Sequence, residues 1–358
     1  MELKIGLLRN IQLNSVEITT IDHYFITASN SDLERELESK SRLNIKSHHN
    51  KVQILFNDQL IGEFDTIYIN KKIKDTCIFT ITGKNPSFRK RSYYGELDIF
   101  SRNGKLTLVN NVDLEKYLVG VLESEVGLHH TKDFYKVHSI ISRTYALKNQ
   151  YKFIHEGFNL TDLVNCQVYK GRMYNSQDII DAVKETRNLI LVDENMDYIT
   201  AAYFSNSGGQ TNNVEDVWLK ALPYLRSIHD PYSVHGFNYE WEKTINKKSW
   251  LDYLHKKFQF PIDNALAVNS ACNFKQEIRH KYFIDWMYRI PLTQIRTDWK
   301  LKSTYFSIFD NGNNQLTLKG KGFGHGVGLS QEGAMKMIDL GYDFLDVLRF
   351  YYTDVHLI

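Results

Sequence analysis

Cysteine is scarce: Cys77, Cys166 and Cys272 are the only three in 358 residues, widely spaced and in no metal-like pair. An odd, sparse set builds no disulfide scaffold. Long apolar runs are missing too. No stretch of about 18 apolar residues occurs, so no membrane span is encoded. Neither sign of charge prevails, with a formal net charge of +2 and no long basic run, which argues against a nucleic-acid partner. The opening MELKIGLLRNIQLNSVEIT carries Glu2 and has no apolar h-region. It therefore predicts no signal peptide and, at face value, a cytoplasmic location. Internal repeats and low-complexity linkers are also missing.

What is present describes an ordinary folded chain, 42% hydrophobic and 24% charged, long enough for two domains or one domain with lobes. Its 22 Tyr, 20 Phe and 5 Trp suit either sugar-stacking platforms or a tyrosine-rich core and surface, the simpler use.

The first hundred residues read as β-structure. Lys51–Phe56 and Leu60–Phe64 flank the turn pair Asn57-Asp58, and Leu97–Phe100 and Leu106–Val109 flank Asn103-Gly104. The period then changes. Leu114, Tyr117, Leu118, Val121 and Leu122 form one stripe of a helix predicted over Val112–Val126. Further helices are predicted over Asp133–Gln150 and Gln177–Arg187, the latter with Asn175 or Ser176 as N-cap. Strands return at Leu189–Val192 and Tyr198–Ser205. Trp250, Tyr253, Leu254 and Phe258 suggest another helix. Tyr305–Phe309 and Leu316–Leu318 flank Asn311-Gly312, and helical patterns close the chain at Ser330–Asp339 and Phe344–Tyr351. Strand runs followed by helix runs predict an α+β fold: a β-rich N-terminal subdomain over 1–110 and a mixed core over 111–358. Residues 236–300 are expected to form a divergent flanking lobe.

Glu125 stands eleven residues after Leu114, about 20° from it around the helix and so in the apolar stripe. Glu123 falls on the opposite, solvent side. A carboxyl among apolar neighbours holds its proton to higher pH, as a general acid requires. The alternative is an exposed acid at a fraying helix end. Arg143 lies on the second helix between Ile140 and Leu147, either buried against an acceptor such as Glu125 or snorkelling at an edge. His138, beside Phe134 and Ile141, reads as a core histidine. Ser205-Asn-Ser-Gly-Gly-Gln210 follows an apolar strand and is either a turn or the lining of a cleft.

The most unusual stretch is GKGFGHGVGLSQEGA, residues 320–334. It has neither the GxGxxG spacing of a dinucleotide loop nor the GK[ST] of a P-loop. Glycine at period 2 leaves one face of an extended segment bare, so that something packs directly on the backbone, while His325 projects from the other face. The next helix would open near Ser330 and Gln331 with free N–H groups suited to a polar or anionic oxygen.

Together these stretches resemble the stage II sporulation protein D (SpoIID) family, shared with amidase enhancers (LytB). The resemblance rests on YLVGVLESEV (117–126), KVHSIISRTYAL (136–147), CQVYKG (166–171), AAYFSNSGGQTNNVEDVW (201–218), LKSTYF (301–306) and GKGFGHGVGLSQEGAMKMIDLGY (320–342). It implies peptidoglycan as substrate and a lytic transglycosylase activity that cuts between N-acetylmuramic acid and N-acetylglucosamine without water. Glu125 matches the family's catalytic glutamate, Arg143 its arginine and Lys136 the lysine that opens that helix. Gln167, Tyr169, Ser205, Ser207, Gly208, Gly209, His325, Ser330 and Gln331 are the expected substrate contacts, with the glycine tract as a close cleft wall. The alternative is a non-catalytic glycan binder that stimulates a cell-wall amidase. Some members hold zinc with a His and two Cys near the CQVY element. Here His155 and Cys166 remain, but Leu160 stands where the second Cys would be, so no metal and no cofactor are expected. The implied substrate places the protein at the cell envelope, against the cytoplasmic reading of its N-terminus.

Overall fold

The structure, a computed structural model, describes residues 1–72, 77–218, 220–284 and 288–358. Two compact units divide the chain, one of residues 1–190 with Ile358 and one of residues 191–357. A long run of strands precedes α-helices interspersed with further strands, and the fold is α+β as the pattern predicts.

In the first unit, among the described residues, twelve strands precede the first helix: β1 (Glu2–Leu7), β2 (Ser15–Thr20), β3 (Tyr24–Ala28), β4 (Glu34–Leu37), β5 (Arg42–His48), β6 (Lys51–Phe56), β7 (Gln59–Phe64), β8 (Thr66–Lys71), β9 (Ile78–Asn85), β10 (Ser87–Tyr94), β11 (Glu96–Arg102) and β12 (Lys105–Asp113). They are followed by α1 (Leu114–Glu125), α2 (Lys132–Lys148), β13 (Leu160–Thr161) and α3 (Gln177–Glu185). One sheet runs β13-β1-β12-β11-β8-β3-β4, the other β10-β9-β2-β5-β6-β7. Strict alternation, as in β2, sends Val16 and Ile18 inward, and one core joins both sheets to α1. The two hairpins form as their turn pairs demand. Asn57 and Asp58 link β6 to β7, and Asn103 and Gly104 link β11 to β12, all four with positive φ, the two-residue turn that matches strand twist.

The expected boundary near residue 110 falls inside β12. That strand pairs with β1 along its length and runs directly into α1, whose Tyr117, Leu118, Val121 and Leu122 join the same core. The compact unit therefore extends through α3. Asp113 caps α1 by accepting the N–H groups of Glu115 and Lys116, and Thr131 caps α2 at Phe134. Ser176 occupies the N-cap of α3 without a side-chain capping bond.

The second unit holds β14 (Leu191–Val192), β15 (Tyr203–Phe204), α4 (Val214–Val217), β16 (Glu240–Asn246), α5 (Lys247–Phe258), α6 (Ala265–Cys272), β17 (Tyr282–Phe283), β18 (Ile290–Pro291), α7 (Leu292–Asp298), β19 (Phe306–Asp310), β20 (Gln315–Lys321), β21 (Leu329–Ser330), α8 (Gln331–Asp339), α9 (Phe344–Tyr351) and β22 (His356–Leu357). Of the stretch 236–300, residues 240–246 are fastened to the strand that leads into the glycine tract. β16 pairs with β20 from Glu240–Lys321 to Asn246–Gln315, and Trp241, Trp250, Phe306 and Leu318 share one core. The strands predicted over Leu189–Val192 and Tyr198–Ser205 shorten to β14 and β15.

Candidate active site

Three glutamates lie on α1, and their environments separate them. Glu115, in the first turn, takes both Arg143 Nε (3.0 Å) and Nη2 (2.6 Å). Arg143 is 1% exposed, and its other donors reach the carbonyls of Ser139, Val183 and Leu189. Every N–H of the guanidinium is thereby engaged, and the arginine ties α1 to α2 and to both sides of the α3 C-terminus. The expected pairing with Glu125 is replaced by this one, with Glu115 two-pronged on the guanidinium.

Glu123, expected in solvent, is 2% exposed. The segment 173–176 covers that side of α1, and the Glu123 carboxylate accepts the backbone N–H groups of Met173 (2.8 Å), Tyr174 (3.1 Å) and Ser176 (3.1 Å). Helix periodicity places a side chain only relative to its own helix, and a segment fifty residues away closed the other face.

Glu125 is the last residue of α1 and is half-buried. Its Oε1 accepts the Val168 N–H at 2.6 Å, a short charge-assisted bond that fixes the carboxyl plane. Its charge also acts on Tyr145 of α2, whose phenol pKa is raised by burial first, then by Cys166 and by Glu125. Tyr145 donates to the Asn165 carbonyl (3.4 Å), and Cys166 Sγ accepts the Thr161 N–H (3.5 Å). Glu125, Tyr145 and the 165–168 turn thus form one cluster at the C-terminal end of α1. Tyr145 is not among the residues the sequence singles out, although it lies in the same stretch, KVHSIISRTYAL, as Arg143.

Several expected contacts prove to be framework. Tyr169 is 1% exposed, packs its ring on Tyr93 and Tyr117, and donates its hydroxyl to Asn110. Gln167 is equally buried and accepts from Tyr117. Tyr169 belongs to the hydrophobic core, and Gln167 is a buried polar side chain beside it. Lys136 bridges Asp133 and Glu185, tying α2 to α3. Burial opposes its charge, but the bonds to Glu185 and Asp133 outweigh that and raise its pKa. Among the described residues, no three His, Cys, Asp or Glu side chains are placed to hold a metal.

In the second unit the glycine tract packs on this chain's own backbone. Asn206 and Phe323 exchange N–H···O bonds of 3.1 and 2.8 Å, and Leu329 donates to Ala202. Gly208 and Gly322 meet face to face: a Cβ on Gly322 would lie 2.6 Å from the Asn206 carbonyl oxygen, and one on Gly208 would lie 2.7 Å from Lys321. Both also have positive φ (69° and 77°). The bare backbone face is real, but residues 202–208 occupy it. Gly208 and Gly209 do border a cavity of about 390 Å³ with Tyr239 and Tyr305.

Ser207 and Ser330 are fully buried. Ser330 Oγ accepts the N–H groups of Ser207 and Gly333 and bonds Ser233 Oγ (2.7 Å), which is itself held by Asp230. The N-terminus of α8 is therefore capped from within, and an outside anion at Ser330 is displaced by the protein's own hydroxyls. Gln331 is half-buried in the first turn, and the Ser205 carbonyl accepts the Glu332 N–H. His325 packs between Phe204 and Trp218, tilted about 50° to each ring. Its Nδ1 accepts the Val327 N–H, which puts the proton on Nε2, bonded to the Tyr203 carbonyl. Burial and the Arg296 guanidinium push its pKa down to about 4, so the ring is neutral and both nitrogens are engaged. The exposed groups beside it are the rings of Trp218 and Phe323, each 40% exposed, with Lys302 over Phe323 and Arg296 bonded to the Lys302 carbonyl.

A model for the stage II sporulation protein family matches residues 102–192, the stretch that carries Glu125, Arg143 and Tyr145. Stage II sporulation protein D of Bacillus subtilis is 29% identical over 259 residues, covering 68% of this chain and 74% of that protein. The chain belongs to the stage II sporulation protein D family. An uncharacterized Brachyspira hyodysenteriae protein is 30% identical, with 74% of this chain and 72% of that one aligned. The Bacillus subtilis amidase enhancer is 25% identical, over 66% of this chain and 39% of the enhancer. The family model's match ends at residue 192, before the glycine tract. Among the described residues, no helix is long and apolar enough to cross a membrane.

Proposed function

We propose that this protein is a peptidoglycan lytic transglycosylase in which Glu125 serves first as general acid and then as general base. The observation that carries the reading is the separation of the α1 glutamates: Glu115 and Glu123 are committed to structural bonds, while half-buried Glu125 ends the helix with its carboxyl oriented by Val168 N–H. Glu125 protonates the glycosidic oxygen as the C1–O bond breaks. The muramic C6 hydroxyl attacks C1, and its proton passes to the Glu125 carboxylate, leaving a 1,6-anhydro end. A hydrolase requires a second carboxylate for water or covalent attack; here the sugar's own hydroxyl takes that part, and no cofactor is needed. Arg143 acts as a positioning residue, holding α1 and α2 together through Glu115. On the second unit, the Trp218 and Phe323 rings offer sugar-stacking faces, and Lys302 and Arg296 suit a sugar carboxylate. Such a substrate places the protein at the cell envelope.

The test is product analysis of intact and peptide-stripped peptidoglycan by mass spectrometry, beside Glu125→Gln. Soluble 1,6-anhydro-muramic products that vanish in the variant support the reading; reducing-end products would replace it with hydrolysis. The similarity to an amidase enhancer favours a second reading, a glycan binder that stimulates an amidase. In that case neither protein cleaves, and Glu125→Gln keeps both binding and stimulation.

A further inference from the structure

At the end of α1 opposite Glu125 lies a cavity of about 410 Å³, open to solvent and within the size range of ligand sites, ~300–1,000 Å³. Val119 of α1 and Ile180 and Val183 of α3 supply an aliphatic floor. Its mouth carries Lys116, Lys184 and Arg187, and the Lys116 ammonium leans over the Tyr94 ring at 5.7 Å. Two carboxylates also border the cavity, and both are committed: Glu115 is held by Arg143, and Asp113 caps α1. Among the described residues, Lys184 and Arg187 are exposed and have no acidic partner.

We infer that this cavity is a docking site for an acidic peptide segment of a partner protein, with one large apolar side chain seated on the floor and flanking carboxylates against the rim cations. The division of the lining argues for that occupant. Valine and isoleucine side chains offer no hydrogen bond, so a sugar hydroxyl buried there would lose its hydration without compensation. An aliphatic or aromatic side chain is matched, and an anchor ringed by charged rim contacts is the usual build of a protein-recognition pocket. The surplus of cations over available carboxylates selects an acidic partner. The pocket also shares its wall with the α1–α2 clamp, because Glu115 and the Val183 carbonyl are both direct partners of Arg143. The site is independent of Glu125 and of the glycan reading.

The experiment is fluorescence anisotropy on the full chain with three labelled hexapeptides: Glu-Glu-Leu-Phe-Asp-Glu, its apolar-to-serine counterpart, and Lys-Lys-Leu-Phe-Lys-Lys. Only the first should bind, with affinity falling as salt rises. The Lys184→Glu/Arg187→Glu double variant should weaken binding about tenfold. Because both residues are exposed, thermal unfolding should show that variant to be as stable as the parent. Ile180→Asp should abolish binding, and Glu125→Gln should leave it unchanged. Equal binding of all three peptides, or an unaffected charge-reversal variant, overturns the proposal. So does binding of the chain to phosphatidylglycerol vesicles, lost in the double variant, with no peptide binding; that result would make the site a lipid contact.

Discussion

Arg143 and Glu115 form a two-pronged ion pair, at 3.0 and 2.6 Å, inside the first unit of the protein, and the guanidinium's remaining donors end on three carbonyls. Removing one partner strands a buried charge. Glu115→Gln, which leaves the Arg143 charge buried without its counter-ion, should destabilise the protein by about 3–5 kcal/mol in urea unfolding, and Arg143→Lys, which keeps the charge but loses the two-pronged geometry, should destabilise it less. If Arg143 acts by positioning, activity in Glu115→Gln should fall in parallel with that in Arg143→Lys. Loss of activity in Arg143→Lys alone, with Glu115→Gln fully active, would mean that the guanidinium meets substrate.

Glu123 and Glu125 should part company under the same substitution. Glu123→Gln weakens three charge-assisted bonds to the segment 173–176 and should cost about 2–3 kcal/mol of stability. Glu125→Gln keeps an acceptor for Val168 N–H and should stay within about 1 kcal/mol of the parent while losing 1,6-anhydro product. A stable, inactive Glu123→Gln protein would reverse the assignment.

The glycine tract supplies a paired control. Gly322→Ala adds a Cβ 2.6 Å from the Asn206 oxygen at a positive φ, and should cost about 3 kcal/mol or more. Gly312, also at positive φ, has nothing within 4 Å of an added Cβ, and Gly312→Ala should cost only about 1 kcal/mol. Equal losses in thermal unfolding would show that backbone strain alone, and not the packing on residues 202–208, requires the glycine.

His325 makes stability depend on acidity. Its folded pKa, about 4, lies below the ordinary histidine value near 6.5, so the unfolded chain binds a proton in that interval that the folded chain does not. Its contribution is complete above pH ~6.5 and is lost as pH falls toward 4. His325→Gln should flatten the decline in urea midpoint between pH 7 and pH 5. An imidazole that titrates near 6.5 by NMR in the folded protein would contradict this.

Local chemistry wrote much of the fold into the sequence. The pairs Asn57-Asp58 and Asn103-Gly104 made their hairpins because few residues tolerate positive φ at both turn positions, and the stripe from Leu114 to Leu122 set the inward face of α1. Glu125 was marked by its helical phase. Its near neighbour Glu123 was misplaced by the same argument, because a helical wheel carries no information about a segment fifty residues away. For that reason the partner of Arg143, the burial of Tyr169 and Gln167, and the closing of the glycine tract by residues 202–208 were decided by tertiary structure alone. Each depends on which distant surface removes water from a side chain or a backbone, and desolvation is a property of the packed molecule rather than of any local stretch of its sequence.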